Sequence, residues 1–379
     1  MSAKQKHITS PLSRASGETV RSDGFERTDR HDRHEWHERH ERRDARAAQA
    51  LLPTRRDALA LGVGLAAGVV AGGARAQSGG APKELRLDYA YYSPTSLVLR
   101  RFGWLEEDLG KDGIPVRWVL SAGSNRALEY LNAGSIDIGS TAGLAALLAR
   151  ANGNPIRAPY IFSRPEWTAL VVRGDSGIRS LADLKGRKIA ATKGTDPYLF
   201  LLRALHTVGL KRGDIEHVAL QHADGRVALE QGRVDAWAGL DPLMAASELD
   251  AGSKLLYRNV GFNTYGFLNV REEFLTRHPQ IVRRVIAAYE RARAWTLANP
   301  SDAAKILSEE AKVSLPVALL QVKLRSDFSH PQPSDEHVKA LQAAAPILSA
   351  EQLVRPGADL NRTIAELVDT RFATGLIKA

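Results

Sequence analysis

One seven-residue pattern occurs twice in this chain, about a hundred residues apart, and it constrains the fold more than any other feature. Residues 131–137 and 229–235 both follow Leu-x-x-Gly-x-(Ile/Val)-Asp. Each copy follows a segment with helical apolar periodicity and precedes a short strand, a turn rich in small polar residues and another helix. A unit used twice predicts two similar α/β lobes, and a cleft between lobes is where small ligands are held.

The first 76 residues differ in composition from the rest of the chain. Residues 1–50 carry charges of both signs and a cluster of histidines, with almost no apolar periodicity, so we expect a disordered charged leader rather than a metal site. Residues 51–76 contain the pair Arg55 and Arg56, an uncharged run and a final Ala-Arg-Ala. This order is typical of an export signal of the twin-arginine type. The run is short for a membrane span, which favours cleavage over retention as an anchor.

The remaining residues, 77–379, are numerous enough for two lobes. The chain holds 52 Lys and Arg against 43 Asp and Glu, and the first 76 residues take 14 and 10 of these, which leaves a net charge of +5. A mildly basic chain without a stripe of Lys and Arg gives no indication of nucleic-acid binding. The chain contains no cysteine, which excludes disulfides, thiolate metal sites and a cysteine nucleophile.

Strands alternate with helices along most of the chain, which predicts an α/β fold with mostly parallel strands. We expect one lobe from residues 83–172 together with an almost wholly helical tail at 268–379, and a second lobe from 175–262. The chain then crosses between the lobes twice, and two crossings form a hinge. Within the lobes, the periodicity predicts one long helix over 96–108 and a short helix over 226–231.

Several predicted strands end in small polar residues that begin a helix. The first turn of a helix has backbone N–H groups without partners, and the helix dipole adds partial positive charge there. Such turns in both lobes predict a site for an anion beyond the carboxyl ends of the strands. Taken singly, each turn is better explained by ordinary helix capping, and only the repetition at strand ends of both lobes favours an anion site. The turns are 123–125, 139–142, 194–197 and 240–242.

Aromatic and basic side chains lie next to these turns in the sequence. Tyr91 and Tyr92 follow the first strand, and Trp237 lies on the strand after the second repeat, so an apolar ligand tail can rest on them. Packing in the core is the alternative role for Trp237. Arg164 and Lys193 are candidate partners of an anion, although solvation is the simpler expectation for isolated cations on loops.

Four segments together carry a resemblance to a known family. The chain resembles the periplasmic solute-binding proteins for aliphatic sulfonates, and the likeness is strongest over residues 120–245. The segments are Asn-Ala-Gly-Ser-Ile-Asp-Ile-Gly-Ser-Thr at 132–141, Leu-Ala-Asp-Leu-Lys-Gly-Arg-Lys-Ile-Ala at 181–190 with Lys-Gly-Thr at 193–195, Leu-Leu-Arg-Ala-Leu at 201–205 with Gly-Leu-Lys at 209–211, and Gln-Gly-Arg-Val-Asp-Ala-Trp-Ala at 231–238 with Asp-Pro at 241–242.

The resemblance implies a type II periplasmic-binding-protein fold that delivers sulfonates, taurine or nitrate to an ABC importer. It implies no catalysis, no cofactor and no metal, with a small organic anion and an ABC permease of the inner membrane as partners. Two departures leave the anion open: the loop at 90–94 is not the Gln-Lys-Gly-Ser loop of the family, and Asp196 replaces a Ser-rich run. An acidic Asp196 suits an anion site only if its carboxylate points away.

The predicted function is capture of an alkyl- or arylsulfonate in the periplasm, in the cleft between the lobes. One alternative is a binder of a thiamine-pyrimidine-like precursor, with Asp196 and Asp241 facing the ligand. The other is an enzyme without cysteine on the same scaffold, for which His206 and His222 are the nearest bases; both are expected at the surface. The predicted ligand-binding residues are Tyr91, Tyr92, Ser93, Ser124, Ser140, Thr141, Ala142, Gly194, Thr195, Asp196, Trp237 and Asp241.

Overall fold

The computed structural model describes residues 80–375. The predicted leader at 1–50 and the predicted export signal at 51–76 lie outside the described residues. Within 80–375 the chain folds into two β-sheets flanked by helices, so the predicted two-lobed α/β fold is confirmed. None of the helices in this part of the chain is both long and apolar enough to cross a bilayer.

Six strands form the first sheet. Its parallel part joins β1 to β2 and β3, and its antiparallel part is formed by β10 with β3 and β4 and by β11 with β4. The spatial order is β11-β4-β10-β3-β1-β2. These strands are β1 (Leu85–Tyr89), β2 (Val116–Leu120), β3 (Ile138–Ala142), β4 (Ile156–Pro165), β10 (Gly266–Arg271) and β11 (Ser326–Asp327).

Five strands form the second sheet on a similar plan. Here β6 is parallel to β7 and β8, and β5 is antiparallel to β8 and β9. The spatial order is β7-β6-β8-β5-β9. These strands are β5 (Leu170–Val172), β6 (Lys188–Ala191), β7 (Glu216–Ala219), β8 (Ala236–Ala238) and β9 (Lys254–Tyr257).

Helices connect the strands and form most of the tail. They are α1 (Pro94–Phe102), α2 (Trp104–Gly110), α3 (Ser124–Asn132), α4 (Gly143–Ala151), α5 (Asp196–Thr207), α6 (His222–Glu230), α7 (Leu243–Asp250), α8 (Glu272–Arg277), α9 (Pro279–Ala298), α10 (Pro300–Ala311), α11 (Leu315–Leu319), α12 (Asp335–Ala344), α13 (Pro346–Ala350) and α14 (Leu360–Leu367). A π-helical turn at Leu320–Leu324 follows α11.

The aspartates of the two repeats play the same structural part in both sheets. The Asp137 carboxylate accepts the backbone N–H of Arg86 at 3.1 Å, and the Asp235 carboxylate accepts the backbone N–H of Lys188 at 2.8 Å. In return, the Asp137 and Asp235 amides donate to the carbonyls of Arg86 and Lys188. Each aspartate thus fixes the first strand of the parallel part of its own sheet, β1 or β6, which explains why the pattern recurs once per lobe.

The first crossing between the sheets lies earlier than the sequence indicated. Residues 170–172 were expected to close the first lobe, but β5 hydrogen-bonds with β8 and β9 of the second sheet. The chain therefore leaves the first sheet over 166–169, between β4 and β5, and returns over 258–265, between β9 and β10. With that change, the division into two lobes joined by a hinge remains our proposal.

Other elements also differ from the sequence-based expectation. The helix expected over 96–108 is two helices, because Gly103 takes a left-handed conformation with φ 64° and ends the first of them. The strand β4 was not expected at all. The helix expected at 226–231 begins earlier, at His222, and the helical tail also contributes β11 to the first sheet.

Candidate functional site

Two helices, one from each lobe, begin at the same place between the sheets. Gly123 lies directly before α3, and a Cβ atom built on it would lie 3.0 Å from Nε2 of His222, the first residue of α6. A Cβ built on Gly194, in the turn before α5, would lie 3.5 Å from the Cβ of Asn125. The lobes therefore meet at the carboxyl ends of their strands, where the sequence predicted the site.

The first-turn amides of these helices lie next to this meeting point. The Arg126 amide is the first in α3 to reach an acceptor of its own helix, Gly123 O at 3.0 Å. In α6 the first amide with an acceptor in its own helix is that of Gly225, which donates to Gln221 O at 2.8 Å. The amides before them have no acceptor within their helices, and the helix dipoles add partial positive charge. The arrangement suits a ligand group with several hydrogen-bond acceptors.

Buried polar side-chain atoms also gather at these strand ends. Within residues 80–375, hydrogen-bond partners are missing for the side-chain atoms Ser93 Oγ, Ser121 Oγ, Asn125 Oδ1 and His222 Nε2. Ser93 follows β1, Ser121 follows β2, and the other two begin α3 and α6. Buried polar atoms in native proteins are nearly always hydrogen-bonded, so these four atoms are candidates for contact with a polar ligand.

The hydroxyl groups predicted to bind the ligand donate to the protein instead. Ser140 Oγ donates to the Asp88 carboxylate at 3.0 Å, Thr141 Oγ1 to Ala142 O at 3.0 Å, and Thr195 Oγ1 to Thr192 O at 2.6 Å. A hydroxyl group has one proton to give. In this structure the three hydroxyl protons are directed to protein oxygens, and donation by Ser140, Thr141 and Thr195 to a ligand stays a prediction.

The helix terminus at α4 is likewise occupied by the protein. Its first amides, those of Gly143 and Leu144, donate to Tyr265 O at 2.9 Å and Thr264 Oγ1 at 3.1 Å in the second crossing. The preceding Ala142 amide donates to Ser124 Oγ at 3.0 Å. The N-terminus of α4 is therefore bound to the second crossing. Of these two helices of the first lobe, α3 is the one whose N-terminus lies next to the second lobe.

The Asp196 carboxylate points away from the meeting point. It accepts hydrogen bonds from the Trp167 indole and from the Thr264 backbone and hydroxyl groups, all in the two crossings. Burial raises its pKa above the ordinary value. This is the orientation that an anion site at this place requires of an acidic side chain.

Asp241 forms a buried ion pair at the start of α7. Its Oδ1 lies 3.2 Å from Nη1 of Arg325, and the two side chains are 0% and 4% exposed. Oδ1 also accepts the Ala245 amide at 2.9 Å, and Glu248 contacts the same guanidinium. Burial raises the pKa of Asp241 to about 7, and Arg325 acts in the opposite direction. Asp241 is thus engaged by protein groups.

The predicted aromatic residues take three different positions. Tyr92 is buried, donates its hydroxyl proton to Ser140 O at 2.9 Å and packs edge-on against Trp167 in the hinge. Tyr91 is half-buried, and its carbonyl accepts Nε2 of Gln321 at 2.9 Å. Trp237 packs in the core of the second sheet, beneath α6. The core role that the sequence left open for Trp237 therefore fits its position.

His222 was expected at the surface, and this was wrong. It is 2% exposed, and burial lowers its pKa to about 3, so its ring is neutral at pH 7.

His206 is exposed, as expected, and pairs with Glu351. No group of three or more potential ligand residues in 80–375 is placed to hold a metal ion. Lys193, which the sequence offered as a candidate partner of an anion, has an exposed side chain.

Two lobes that meet through helix termini define a solute-binding protein with the fold of those that serve ABC importers in the periplasm. Residues 105–303 match the family described as NMT1/THI5 like, and the chain belongs to this family. The family resemblance expected from the sequence is confirmed.

Relatives and solved structures agree with this assignment. The chain is 30% identical over 292 residues to a protein of Escherichia coli (strain K12) named for binding aliphatic sulfonates, a match that covers 76% of this chain and 88% of that protein. The alkanesulfonate-binding protein SsuA from Xanthomonas axonopodis pv. citri, bound to MOPS, has a TM-score of 0.68 and 28% identity, over 74% and 98% of the two chains. The aliphatic sulphonate binding protein SsuA from Escherichia coli has a TM-score of 0.64 and 29% identity, over 75% and 92%.

Proposed function

We propose that this protein is the extracytoplasmic substrate-binding component of an ABC importer and captures a small organic anion between its lobes. The ligand is an alkyl- or arylsulfonate. Export takes the protein to the periplasm, and the closed, loaded form delivers the ligand to an ABC permease in the inner membrane. The protein acts by binding and release, without a chemical step.

The observation that carries this proposal is the meeting of α3 and α6 through their N-termini. The first-turn amides of Ser124 and Asn125 in one lobe and of His222 in the other lie beside the contact between Gly123 and His222, and no acceptor in their own helices can reach them. A sulfonate is fully ionised at neutral pH and offers three oxygens, so neutral donors at helix ends are sufficient partners. Hydrogen bonds to an ionised acceptor are about twice as strong as neutral ones.

The charges around the site favour neutral donors over cations as ligand partners. Arg325, the buried cation of the hinge region, is neutralised by Asp241 and Glu248. Lys193 is exposed, and Arg164 lies 3.9 Å from Glu336. We therefore expect the head group to be held by amides, with contributions of about 0.3–1 kcal/mol from each helix dipole.

The relatives support a sulfonate as the ligand class. The similar proteins of Escherichia coli and Xanthomonas are named for sulfonates, and one of them holds MOPS. We propose that the turns at Ser93, Ser121 and Asn125 line one wall of the cleft. Gly194 and the start of α6 line the opposite wall, and Tyr91 and Tyr92 lie beside the tail of the ligand.

A titration series on the protein tests this function. Purified residues 77–379 are titrated with MOPS and with alkanesulfonates of two to eight carbons, by calorimetry and thermal shift, with acetate as the control anion. A sulfonate at 100 times its dissociation constant should stabilise the fold by about 2.7 kcal/mol. If no sulfonate raises the melting temperature, the proposed function is wrong.

A single alanine tests whether the helix ends form the site. Gly123 has extended backbone with φ 171°, so alanine is tolerated there, but its Cβ would lie 2.9 Å from Asn125 Oδ1 and 3.0 Å from His222 Nε2. Gly123→Ala should weaken sulfonate binding at least about tenfold, which is 1.4 kcal/mol. Gly177→Ala, with no atom within 4 Å of the new Cβ, is the matched control. Equal affinity of both variants would contradict the proposed position.

A further inference from the structure

We propose that His222 accepts a hydrogen bond from the ligand, so that the cleft selects sulfonates whose tail carries an N–H or O–H donor over plain alkanesulfonates. This inference rests on the proposed function and adds the substrate class of the same site. It makes His222 a specificity-determining residue in addition to the amides that hold the head group.

The hydrogen bonds of Thr192 determine which ring nitrogen of His222 carries the proton. Thr192 Oγ1 lies 2.7 Å from Leu220 O, and a carbonyl only accepts, so the single hydroxyl proton points to that carbonyl. Thr192 Oγ1 also lies 3.3 Å from Nδ1 of His222. With its own proton committed, the hydroxyl oxygen accepts there, and Nδ1 is the donor. Nε2 of the neutral ring then has a lone pair and acts as an acceptor.

Nε2 lies at the contact between the lobes. It is within 3.0 Å of the point where a Cβ of Gly123 would lie, and Asn125 Oδ1 is within 2.9 Å of the same point. Neither atom has a hydrogen-bond partner in the part of the chain that the structure describes. Two acceptors from opposite lobes therefore face one small region beside the helix N-termini.

A sulfonate oxygen is a poor partner for Nε2 of His222 and Oδ1 of Asn125, in contrast to the first-turn amides that hold the head group. The ring is neutral at pH 7, because burial lowers the pKa of His222 to about 3, so it offers no positive charge to a sulfonate. A sulfonate oxygen or a methyl group placed against Nε2 leaves the lone pair buried without a donor. A site built to hydrogen-bond a group rejects the analogue that lacks it far more strongly than it rejects a change of one methylene. An ammonium group can donate to both acceptors, and a hydroxyl group can donate to one of them.

Three ligands with the same number of heavy atoms isolate this contact. They are propane-1-sulfonate, 2-hydroxyethanesulfonate and 2-aminoethanesulfonate, which differ only in a terminal methyl, hydroxyl or ammonium group. Wild-type protein, His222→Phe and the control His206→Phe are titrated with each by calorimetry. At least one donor-bearing ligand should bind wild type and the control ten times or more tighter than propane-1-sulfonate, and His222→Phe should lose this preference.

A second measurement does not depend on the folding of the variant. Long-range ¹H–¹⁵N correlation spectra of wild-type protein report the protonation state of each histidine nitrogen. Nε2 of His222 should be unprotonated in the free protein and should shift as a hydrogen-bond acceptor when 2-hydroxyethanesulfonate is added. A protonated Nε2 at pH 7 would overturn the inference.

The outcomes separate this inference from the proposed function. Binding of propane-1-sulfonate as tightly as the donor-bearing ligands, or binding of donor-free sulfonates alone, overturns the role of His222 and leaves sulfonate capture standing. Absence of binding by every sulfonate overturns both. An unchanged preference in His222→Phe assigns the selection to another group and also overturns the inference.

Discussion

Nε1 of Trp167 donates a hydrogen bond of 3.1 Å to Oδ2 of Asp196, and this contact ties the first crossing between the lobes to the start of α5. The same carboxylate accepts the amide and the hydroxyl of Thr264 at 3.0 and 2.9 Å, in the second crossing. One buried side chain therefore holds both connecting segments against the second lobe. The acidic residue that first appeared at odds with an anion site is part of the hinge.

Replacement of Asp196 should destabilise the protein more than the small size of this side chain suggests. Asp196→Ala leaves three buried donors without an acceptor, and we expect a loss of about 3–5 kcal/mol in the free energy of unfolding. Asp196→Asn keeps one acceptor oxygen but turns an NH₂ group towards other donors, so its loss should be smaller. Urea denaturation measures both, with Asp250→Asn on the exposed end of α7 as the control. A loss below 1 kcal/mol for Asp196→Ala would remove the carboxylate from this role.

The ion pair between Arg325 and Asp241 gives a second prediction. Removal of Arg325 forces the buried Asp241 carboxyl group either to stay charged without a partner or to take up a proton, so Arg325→Met should cost up to about 3–5 kcal/mol of unfolding free energy. The double variant with Asp241→Asn should recover part of this loss, because Asn still accepts the Ala245 amide. Denaturation curves for the two single variants and the double variant give the coupling. Lys323→Met, two residues away and exposed, is the control.

If the losses in unfolding free energy of the two single variants add up to the loss in the double variant, the two side chains contribute independently. The expected result is a coupling of more than 1 kcal/mol, since the side chains are in direct contact and almost fully buried.

The two-lobed plan could be predicted because the repeat is a local signal with a structural cause. Asp137 and Asp235 each bind the first parallel strand of their own sheet, so a chain that builds the unit twice carries the residue twice. The strand β4 could not be predicted in this way. It contains Pro159 at a shift of register with β10, and proline in a central strand argues against a strand.

The start of α6 was missed for a related reason, and His222 was missed with it. Gly225 lies within the helix and lowers the helical signal before Arg226, although a Cβ there would lie 2.7 Å from Nε1 of Trp237. The glycine is needed because an indole of the second sheet packs against the helix. Sequence alone gives neither that contact nor the direction in which the hydroxyls of Ser140 and Thr141 donate. The sequence therefore predicted which strand ends lie at the candidate site, but not which polar groups at those ends have no partner within the protein.

The contact between Gly225 and Trp237 gives a third prediction. Gly225→Ala forces either the indole or α6 to move, and overpacking of this kind costs about 1–3 kcal/mol. Because α6 carries His222, sulfonate affinity should fall as well. Gly213→Ala, whose Cβ meets no atom within 4 Å, should change neither quantity. Denaturation and calorimetry on the two variants check this, and a neutral effect of Gly225→Ala would mean that the core of the second sheet adapts freely.

The buried His337 gives a prediction for the pH dependence of stability. Its Nδ1 accepts the Ser334 amide at 3.1 Å, and its ring packs against Tyr265 at 4.3 Å between centroids. Burial lowers its pKa from 6.5 to about 4, so the unfolded chain takes up a proton at a higher pH than the folded protein. The contribution is complete above about pH 6.5 and is lost as the pH falls through about 4, with a slope of up to about 1.4 kcal/mol per pH unit.

His337→Gln removes this titration while it keeps a side chain that can accept the Ser334 amide. The variant should be less stable than wild type at pH 7.5, because the packing on Tyr265 is lost, and the difference should shrink by up to about 2 kcal/mol by pH 4.5. Urea denaturation at both pH values measures it. Lys339→Gln, exposed on the same helix, is the control, and its difference from wild type should be the same at both pH values. A gap between His337→Gln and wild type that is equal at both pH values would mean that His337 does not titrate with unfolding.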